Sequence, residues 1–417
     1  MDLHTAKVKG GVGPFASPAM NITLLLPFPK ALIPSSLLHR PFDVHLKSEK
    51  LSTKCQIETE RGLEFDTGGT FFRRESATGR DLGVLAAILY KKSKGNLRVL
   101  DAMCGCGIRS LRYLVEAKAD FVLANDANDE YRSVILHNLS RVARVSDGER
   151  KWVITHFDAN RILADCYLQR EFFDLIDIDS FGSDSMFMRT AFGALRLNGL
   201  LYLTSTDGYS SGGGAIRDAA ILGYHVSPLF SYYSYHGPVF RVMLRVYRGK
   251  LPDNRYYGFI SYCHNCGHSQ AFSWDQLGQM CCPCSNSRVP SSLVVSGPLW
   301  TGPLHDAKYL KEMLLFAEKL GWAGGGMRTD LEKLLNQLID EADPSLPFGY
   351  IKLDEVASRS KVNSPTLRAM MDSIQKLQDR TLLLMQLRRT ALWQHAYGLQ
   401  RSSSKADGSN LNVMSAQ

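Results

Sequence analysis

The stretch that decides the fold is LRVLDAMCGCGIRSLRYLVEAKADFVLAND, residues 97–126. Its first four residues, Leu97–Leu100, form a short apolar run that is typical of a strand buried on both faces of a parallel sheet. Gly105 and Gly107 then predict a tight turn in which the backbone can approach a ligand closely. A run with helical spacing and a second strand ending in Asp126 follow. This order predicts a nucleotide-binding βαβ unit, with the acid placed to accept the ribose hydroxyls.

The spacing of the glycines distinguishes between nucleotide ligands. A dinucleotide fingerprint requires a third glycine where this chain has Ser110, and Asp101 in the turn would repel a phosphate. An amino group or a sulfonium would instead be attracted, so the turn favours S-adenosylmethionine over NAD. A βαβ turn that binds no ligand is the alternative.

Composition restricts the class of protein. With 417 residues and 45% hydrophobic content, the chain is long enough for two or three domains, and no apolar run approaches the roughly 18 residues of a membrane span. The net charge of +8 favours a polyanionic partner such as nucleic acid, although an ordinary basic enzyme has the same charge. Five of nine cysteines lie between 263 and 284, which argues against a secreted disulfide framework.

Both ends of the chain differ from its centre. The first 42 residues contain a single acid, Asp2, so residues 1–55 are predicted to be a disordered or transit-like segment. If this segment is a transit peptide, the destination is a plastid or mitochondrion; if it is not, the destination is the nucleus or cytoplasm. The Ser-rich end, residues 401–417, is predicted to be disordered.

Between residues 56 and 250, strands and helices alternate. The pattern predicts an α/β fold, a doubly wound Rossmann-like sheet of about seven strands, with FRVMLRVY (240–247) as an antiparallel edge strand. Acids follow four of the predicted strands, and ligands bind at such strand ends. These acids are Asp101, Asp126, Asp158 and Asp179.

The turn after the strand 173–178 is predicted to carry the chemistry. Asp177-Ile-Asp179-Ser-Phe181-Gly resembles the Asp-Pro-Pro-Tyr turn of methyltransferases that act on exocyclic amino groups. Such a nitrogen is a poor nucleophile, and an acceptor at Asp179 would orient its lone pair and relieve the developing charge. Phe181 would stack on the base. An Asp that merely caps the next helix is the alternative.

Cysteine spacing predicts a metal site. The pairs Cys263-x-x-Cys266 and Cys281-x-x-Cys284 have the spacing of a structural zinc ribbon with four thiolate ligands. Cys282 is a spare cysteine, and His264 or His268 could replace a thiolate. The ribbon, 263–284, therefore belongs to a second, α+β domain at 251–400. Paired helices at 350–380 suggest a winged-helix-like part of this domain. Such a part either binds nucleic acid or only packs against the rest of the protein.

Together these motifs resemble the tRNA (guanine-26-N2)-dimethyltransferase family of the Trm1 type, over about residues 56–380. The resemblance rests on the glycine turn and the strand-end acids, on Arg80-Asp81-Leu82 and on the two cysteine pairs. It implies tRNA as partner, bound between two domains, no membrane association and a monomer. It also implies that the methyl-transfer site includes Asp179 and that S-adenosylmethionine is held by Arg80, Arg109, Asp126, Asp158 and Ala159.

The chain departs from the family pattern in three places. Phe71-Phe72-Arg73-Arg74 replaces Phe-Tyr-Asn-Pro, Ser180 replaces the proline of the catalytic turn, and residues 388–400 do not resemble the basic end of the family. Ser180 loosens a rigid backbone. The alternatives are an amino-methyltransferase acting on another RNA and a tRNA-binding protein whose catalytic turn has decayed.

Overall fold

The computed structural model of the chain describes residues 56–142, 150–234, 239–247, 256–282, 284, 293–325, 329–344, 357–358, 361–366 and 369. The predicted N-terminal segment and C-terminal tail lie outside these residues, and so does nearly all of the predicted winged-helix part at 350–380. Within the described ranges, no helix combines the length and apolar character needed to cross a bilayer.

The strands follow the predicted alternation with the helices. They are β1 (Ile57–Glu60), β2 (Leu63–Asp66), β3 (Arg98–Asp101), β4 (Phe121–Asn125), β5 (Trp152–Thr155), β6 (Phe173–Asp179), β7 (Leu195–Ser205), β8 (His225–Tyr233), β9 (Phe240–Tyr247), β10 (Tyr257–Cys263), β11 (Ser269–Ser273) and β12 (Leu293–Trp300). The helices are α1 (Ala77–Lys94), α2 (Ile108–Val115), α3 (Arg132–Ser140), α4 (Ala159–Leu168), α5 (Ser185–Ala194), α6 (Gly212–Ile221), α7 (Ala307–Lys319) and α8 (Asp330–Glu341).

Seven strands form one twisted sheet in the order β5-β4-β3-β6-β7-β9-β8. The first five pair in parallel, whereas β9 runs antiparallel to both β7 and β8. One hydrophobic core contains residues of α1, α2, α3, α7 and α8, and a second core contains residues of α4, α5 and α6. The predicted doubly wound α/β sheet is therefore confirmed, and all carboxyl ends of its parallel strands meet along one edge.

One detail of the sheet differs from the prediction. FRVMLRVY forms β9 as expected, but β9 lies between β7 and β8 and is not the edge strand. The strand that the sequence did not reveal, β8, takes the edge and contains Pro228. A proline lacks the N–H that a central strand would donate, so an edge strand accommodates it.

Two smaller elements flank the sheet. The hairpin β1–β2 precedes α1, which begins at Ala77 and ends before Gly95, a residue in the left-handed conformation that commonly terminates a helix. On the C-terminal side, β10, β11 and β12 form a separate three-stranded antiparallel sheet. Because α7 and α8 bury their apolar side chains in the same core as α1, the C-terminal part packs directly on the sheet domain.

Candidate active site

The glycine turn after β3 leads directly into α2. Gly105 and Gly107 both have positive φ, 55° and 84°, and a Cβ placed on Gly105 would have no atom within 4 Å. The backbone at Gly105 therefore faces open space. Beneath the turn, Asp101 is buried and accepts a hydrogen bond from Ser110 Oγ at 2.7 Å, while its Oδ1 is buried without a partner. An open turn above a carboxyl oxygen with unused capacity is suited to holding a small polar ligand.

The adjacent strand ends are tied to this turn. Gly105 N–H donates to Asp126 Oδ2 at 2.9 Å, which fixes the acid at the end of β4 beside the turn. The buried Asn125 side chain donates to the carbonyl oxygens of Ala102 and Phe157 and so joins the turns after β3 and β5. Asp158 is exposed and caps α4 by accepting from the N–H of Arg161 at 3.1 Å. One edge thus collects the acids that the sequence placed at strand ends.

Asp179, at the end of β6, lies between two buried arginines. Arg109 Nη2 from α2 contacts Asp179 Oδ2 at 2.6 Å, and Arg241 Nη2 from β9 lies 3.8 Å from Oδ1. The Asp179 side chain is nevertheless 31% exposed, so a ligand can still reach it. Burial raises the pKa of Asp179, but the two guanidinium groups and a hydrogen bond with Thr204 outweigh it and lower the pKa to about 2. Asp179 is therefore an ionised hydrogen-bond acceptor at neutral pH.

Three carboxyl groups interact in this region, but only Asp177 and Asp179 contact an arginine. Asp177 is fully buried and accepts from Arg109 at 2.9 Å and from the Tyr113 hydroxyl at 2.6 Å. Asp101 has no arginine partner, and burial together with the neighbouring Asp177 raises its pKa to about 8. With fewer cations than acids, the group farthest from a cation retains its proton. The predicted attraction of a sulfonium by Asp101 requires the ionised carboxylate, which this raised pKa disfavours near neutral pH, and it stays a prediction.

Two exposed aromatic rings stand next to Asp179. Phe181 is 70% exposed, Phe71 is 57% exposed, and their ring centroids lie 4.8 Å apart in an edge-to-face arrangement. Exposed aromatic rings beside a reactive carboxylate form a surface on which a flat base can stack. Phe71 comes from the loop before α1, and no sequence pattern predicts that it lies beside Phe181.

The turn that carries Phe181 is well anchored despite Ser180. The buried Ser180 hydroxyl donates to the carbonyl oxygen of Thr204 at 2.8 Å, and Gly182 exchanges hydrogen bonds with Thr206. These bonds tie the turn to the end of β7. The serine therefore restricts the backbone through a hydrogen bond at the position where the family pattern has proline.

Arg80 and Arg109, two predicted cofactor ligands, have protein partners. Arg109 is 4% exposed and is held by Asp177 and Asp179, so the structure places it beside the Asp179 carboxylate. Arg80 is 5% exposed, donates to Glu60 at 2.9 Å and stacks on Phe72 at 4.9 Å. Their predicted contacts with S-adenosylmethionine stay predictions.

Arg241 is the functional residue that sequence reasoning missed. It is 2% exposed, its Nε lies 3.3 Å from Thr204 Oγ1, and a Cβ on Gly79 would meet its Nη1 at 2.2 Å. A charged residue within the apolar pattern FRVMLRVY was the available signal, because a strand buries an arginine only where a partner compensates the charge.

The cysteine cluster lies at the end of β10 and beyond β11. The sulfur atoms of Cys263, Cys266, Cys282 and Cys284 all lie within 4.8 Å of one another, with distances of 3.1 Å for Cys266–Cys282 and 3.6 Å for Cys263–Cys284. Tetrahedral coordination with Zn–S bonds of about 2.3 Å requires sulfur separations of about 3.8 Å, which small side-chain movements reach. The backbone N–H of Cys266 lowers the pKa of the Cys263 thiol to about 6 and so favours the thiolate.

The predicted fourth ligand, Cys281, is wrong. Cys281 is exposed and is not among the clustered thiols, whereas Cys282 is 7% exposed and its sulfur lies 3.2 Å from that of Cys284. Successive side chains of an extended segment point to opposite sides, so only one of two adjacent cysteines can face the cluster. The spacing of two Cys-x-x-Cys pairs had favoured Cys281 as the fourth ligand.

Comparison with known proteins gives consistent matches. A family model described as "TRM: N2,N2-dimethylguanosine tRNA methyltransferase" matches residues 54–246 and 213–382. The tRNA (guanine(26)-N(2))-dimethyltransferase of Methanothermobacter thermautotrophicus is 30% identical, over 73% of this chain and 84% of that protein. Its counterpart from Thermococcus kodakarensis is 31% identical, over 58% and 70%.

A solved structure shares the fold. The complex of Trm1 from Pyrococcus horikoshii with S-adenosyl-L-methionine is similar with a TM-score of 0.58 and 22% identity, covering 78% of this chain and 92% of that one. The similarity includes the sheet domain and the part that follows it.

Proposed function

This chain belongs to the N2,N2-dimethylguanosine tRNA methyltransferase family, and on that premise we propose that it transfers methyl groups from S-adenosylmethionine to the exocyclic N2 of guanine 26 in tRNA. The observation that carries the proposal is the Asp179 carboxylate, ionised and partly exposed between two buried arginines beside two exposed aromatic rings.

Asp179 supplies what an exocyclic amino group lacks. The lone pair of guanine N2 is delocalised into the ring, so the nitrogen attacks only when its hydrogens are held and its lone pair is directed at the methyl group. A carboxylate whose pKa is about 2 is a weak base. Its role is therefore to accept the N–H hydrogen bonds and to stabilise the positive charge that develops during transfer.

Phe181 and Phe71 hold the base. The amino group lies on the minor-groove edge of guanine and is out of reach while the base remains stacked in the tRNA, so the base must turn into the site, at a cost of a few kcal/mol. Stacking on the two rings offsets part of this cost and places the ring plane against Asp179.

The glycine turn suits S-adenosylmethionine, which supplies an electrophilic methyl group on a sulfonium when bound. Asp126 would accept the ribose hydroxyls, and the family resemblance implies that Asp158 and Ala159 also hold S-adenosylmethionine. The open space over Gly105 and the unused Oδ1 of Asp101 are the structural features that fit such a ligand.

Zinc would hold the C-terminal sheet together. The four clustered thiols, Cys263, Cys266, Cys282 and Cys284, form a closed donor set of the kind that binds structural zinc. They join the β10–β11 hairpin to the segment before β12, so metal binding would stabilise this sheet.

Methyl transfer to defined tRNA transcripts tests the proposal. Purified protein, radiolabelled S-adenosylmethionine and an unmodified tRNA should give N2-methylated guanosine after nuclease digestion, and a transcript with adenine at position 26 should give none. If the protein methylates ribosomal RNA, and if replacing guanine 26 in the tRNA does not change methylation of the tRNA, the alternative of another RNA substrate is favoured. Tight tRNA binding with no transfer at any guanine would favour a decayed enzyme.

A further inference from the structure

A third exposed aromatic side chain lies at the same edge as Phe181 and Phe71, on the loop after β7. Tyr209 is 92% exposed, the largest exposure among the large apolar or aromatic side chains of the described residues. β7 is the parallel neighbour of β6, so the loops that follow the two strands leave the sheet at the same edge. Tyr209 therefore lies on the same side of the protein as Asp179 and Phe181.

The loop is rigidly attached to the catalytic turn. Gly182, next to Phe181, accepts hydrogen bonds from Thr206 N–H at 2.9 Å and from Ser205 Oγ at 2.7 Å, and its own N–H donates to Thr206 Oγ1 at 2.8 Å. Three hydrogen bonds to one residue fix the start of the Tyr209 loop relative to the Phe181 turn.

The remainder of the loop is equally constrained. Asp207 Oδ1 accepts from the N–H groups of Tyr209 and Ser210, both at 2.8 Å, and Ser210 Oγ lies 2.9 Å from Asp184 Oδ1. The backbone that carries Tyr209 is thus ordered while its ring contacts almost nothing. Folding does not require this ring, whereas a partner that stacks on it meets a preorganised surface at low entropic cost.

Charge indicates which part of a nucleic acid this surface receives. Asp207 lies in the loop itself. Burial raises the pKa of Asp207, but the backbone N–H groups of Ser210 and Tyr209 outweigh this effect, lower the pKa and keep the carboxylate ionised. Anionic groups repel phosphate but not the neutral face of a nucleobase. Met186, at the start of α5, is 65% exposed and adds apolar surface to the same edge.

We infer that Tyr209 stacks on a nucleobase next to the target guanine, so that the edge holds two bases, the target at Phe181 and a neighbour at Tyr209. This inference rests on the proposed function and deepens it by adding a substrate contact outside the methyl-transfer site. The contact is with a base and not with a phosphate. It is tolerant of base identity because every base has a face that stacks.

Kinetics and an abasic scan test the inference. Tyr209→Ala should raise KM for unmodified tRNA by about 5- to 150-fold, which corresponds to the free energy of one base–aromatic stack, whereas Tyr209→Phe should behave as wild type. Tyr167→Ala is the matched control, because Tyr167 is 54% exposed near the C-terminal end of α4, at the opposite edge of the sheet. Thermal unfolding should be unchanged in all three variants. The slope of log Kd against log salt should also be the same for Tyr209→Ala and wild type, because no phosphate contact is lost.

Transcripts with a single abasic site flanking guanine 26 identify the partner base. Removal of that base should weaken binding to wild type by the same factor as Tyr209→Ala and should cause no further loss in the variant. Equal KM for Tyr209→Ala and wild type, or additive losses at every flanking position, would overturn the inference while leaving the proposed function intact. A wild-type protein that methylates no tRNA would overturn both.

Discussion

Helix α2 carries two buried arginines one turn apart, and they have different surroundings. Arg109 faces the carboxyl ends of the strands and binds Asp177 and Asp179. Arg112 faces the β1–β2 hairpin and α1, where its Nη1 contacts Glu60 at 2.6 Å and its Nη2 contacts Asp81 at 2.7 Å.

The two clusters differ in how completely they are closed. The acids around Arg112, Glu116 included, are at most 11% exposed, and the Trp322 ring covers the guanidinium at 5.1 Å. The cluster around Arg109 leaves Asp179 31% exposed and one oxygen of Asp101 without a partner. A closed ion cluster has no free group to offer a ligand, so the Arg112 cluster is structural. The open cluster retains the capacity that chemistry requires.

Removal of Arg112 should have the largest effect. Arg112→Met removes the partner of Glu116 and leaves Glu60 and Asp81 with one arginine each, which should lower the free energy of unfolding by about 3 kcal/mol. Urea denaturation followed by circular dichroism measures the change, and Arg112→Lys, which keeps the charge, should lose less. An Arg112→Met protein as stable as wild type would show that the cluster contributes nothing to the fold.

Removal of Arg109 should affect turnover more than stability. Arg109→Gln frees Asp179 to rotate and to protonate, so kcat should fall on the order of 100-fold, the effect of losing one preorganised electrostatic contact. Single-turnover kinetics on unmodified tRNA measure the loss, with circular dichroism as a folding control. If kcat remained near wild type, the proposed difference between the two arginines would be lost.

Removal of Arg241 should have a smaller effect that depends on pH. Arg109 (α2), Arg241 (β9) and Thr204 (β7) stabilise ionised Asp179, whereas the carboxylate of Asp177 repels it. Loss of one cation therefore raises the pKa of Asp179, by about 1 at the low end of such effects. The fall of kcat on acidification should then begin at higher pH in Arg241→Gln.

Arg196→Gln provides the matched control for that variant. Arg196 pairs with Asp174 at 3.1 Å at the opposite end of β6, so its loss should leave the pH profile unchanged. Identical acid limbs in Arg241→Gln and wild type would exclude Arg241 from the electrostatics of Asp179.

Substitutions of the cysteines should have the smallest effect on turnover, because the cysteines belong to neither arginine cluster. Cys281→Ser should retain one zinc per chain, whereas Cys282→Ser should lose metal and destabilise the β10–β12 sheet, because the structure assigns the fourth thiolate to Cys282. Metal analysis of the two purified variants measures this. Zinc lost from Cys281→Ser and kept by Cys282→Ser would restore the pairing that the sequence spacing suggested.

Local patterns in the sequence predicted most of the fold. The apolar runs and the glycine turn at 97–126 depend on neighbours in the chain, so periodicity reveals them. The edge strand β8 was missed because Pro228 and its polar neighbours interrupt the strand pattern. The positions of the acids after the predicted strands also indicated that these acids would lie along one edge of the sheet.

Pairings between distant segments could not be predicted. Arg241 lies 62 positions beyond Asp179 in the chain, and Phe71 meets Phe181 only after the hairpin and α1 have packed on the sheet. The choice between Cys281 and Cys282 depends on which side of the backbone faces the cluster. Such pairings depend on tertiary packing, which spacing alone does not encode.

The most direct test compares one carboxylate from each cluster. Asp179→Asn and Glu60→Gln are both isosteric, and each removes one negative charge next to an arginine of α2. Turnover on unmodified tRNA and the free energy of unfolding are measured for both. We expect Asp179→Asn to lose at least about 100-fold in kcat with unfolding within about 1 kcal/mol of wild type. We expect Glu60→Gln to lose several kcal/mol of stability while its folded fraction retains turnover. Wild-type turnover in Asp179→Asn would contradict the assignment of the open cluster to catalysis.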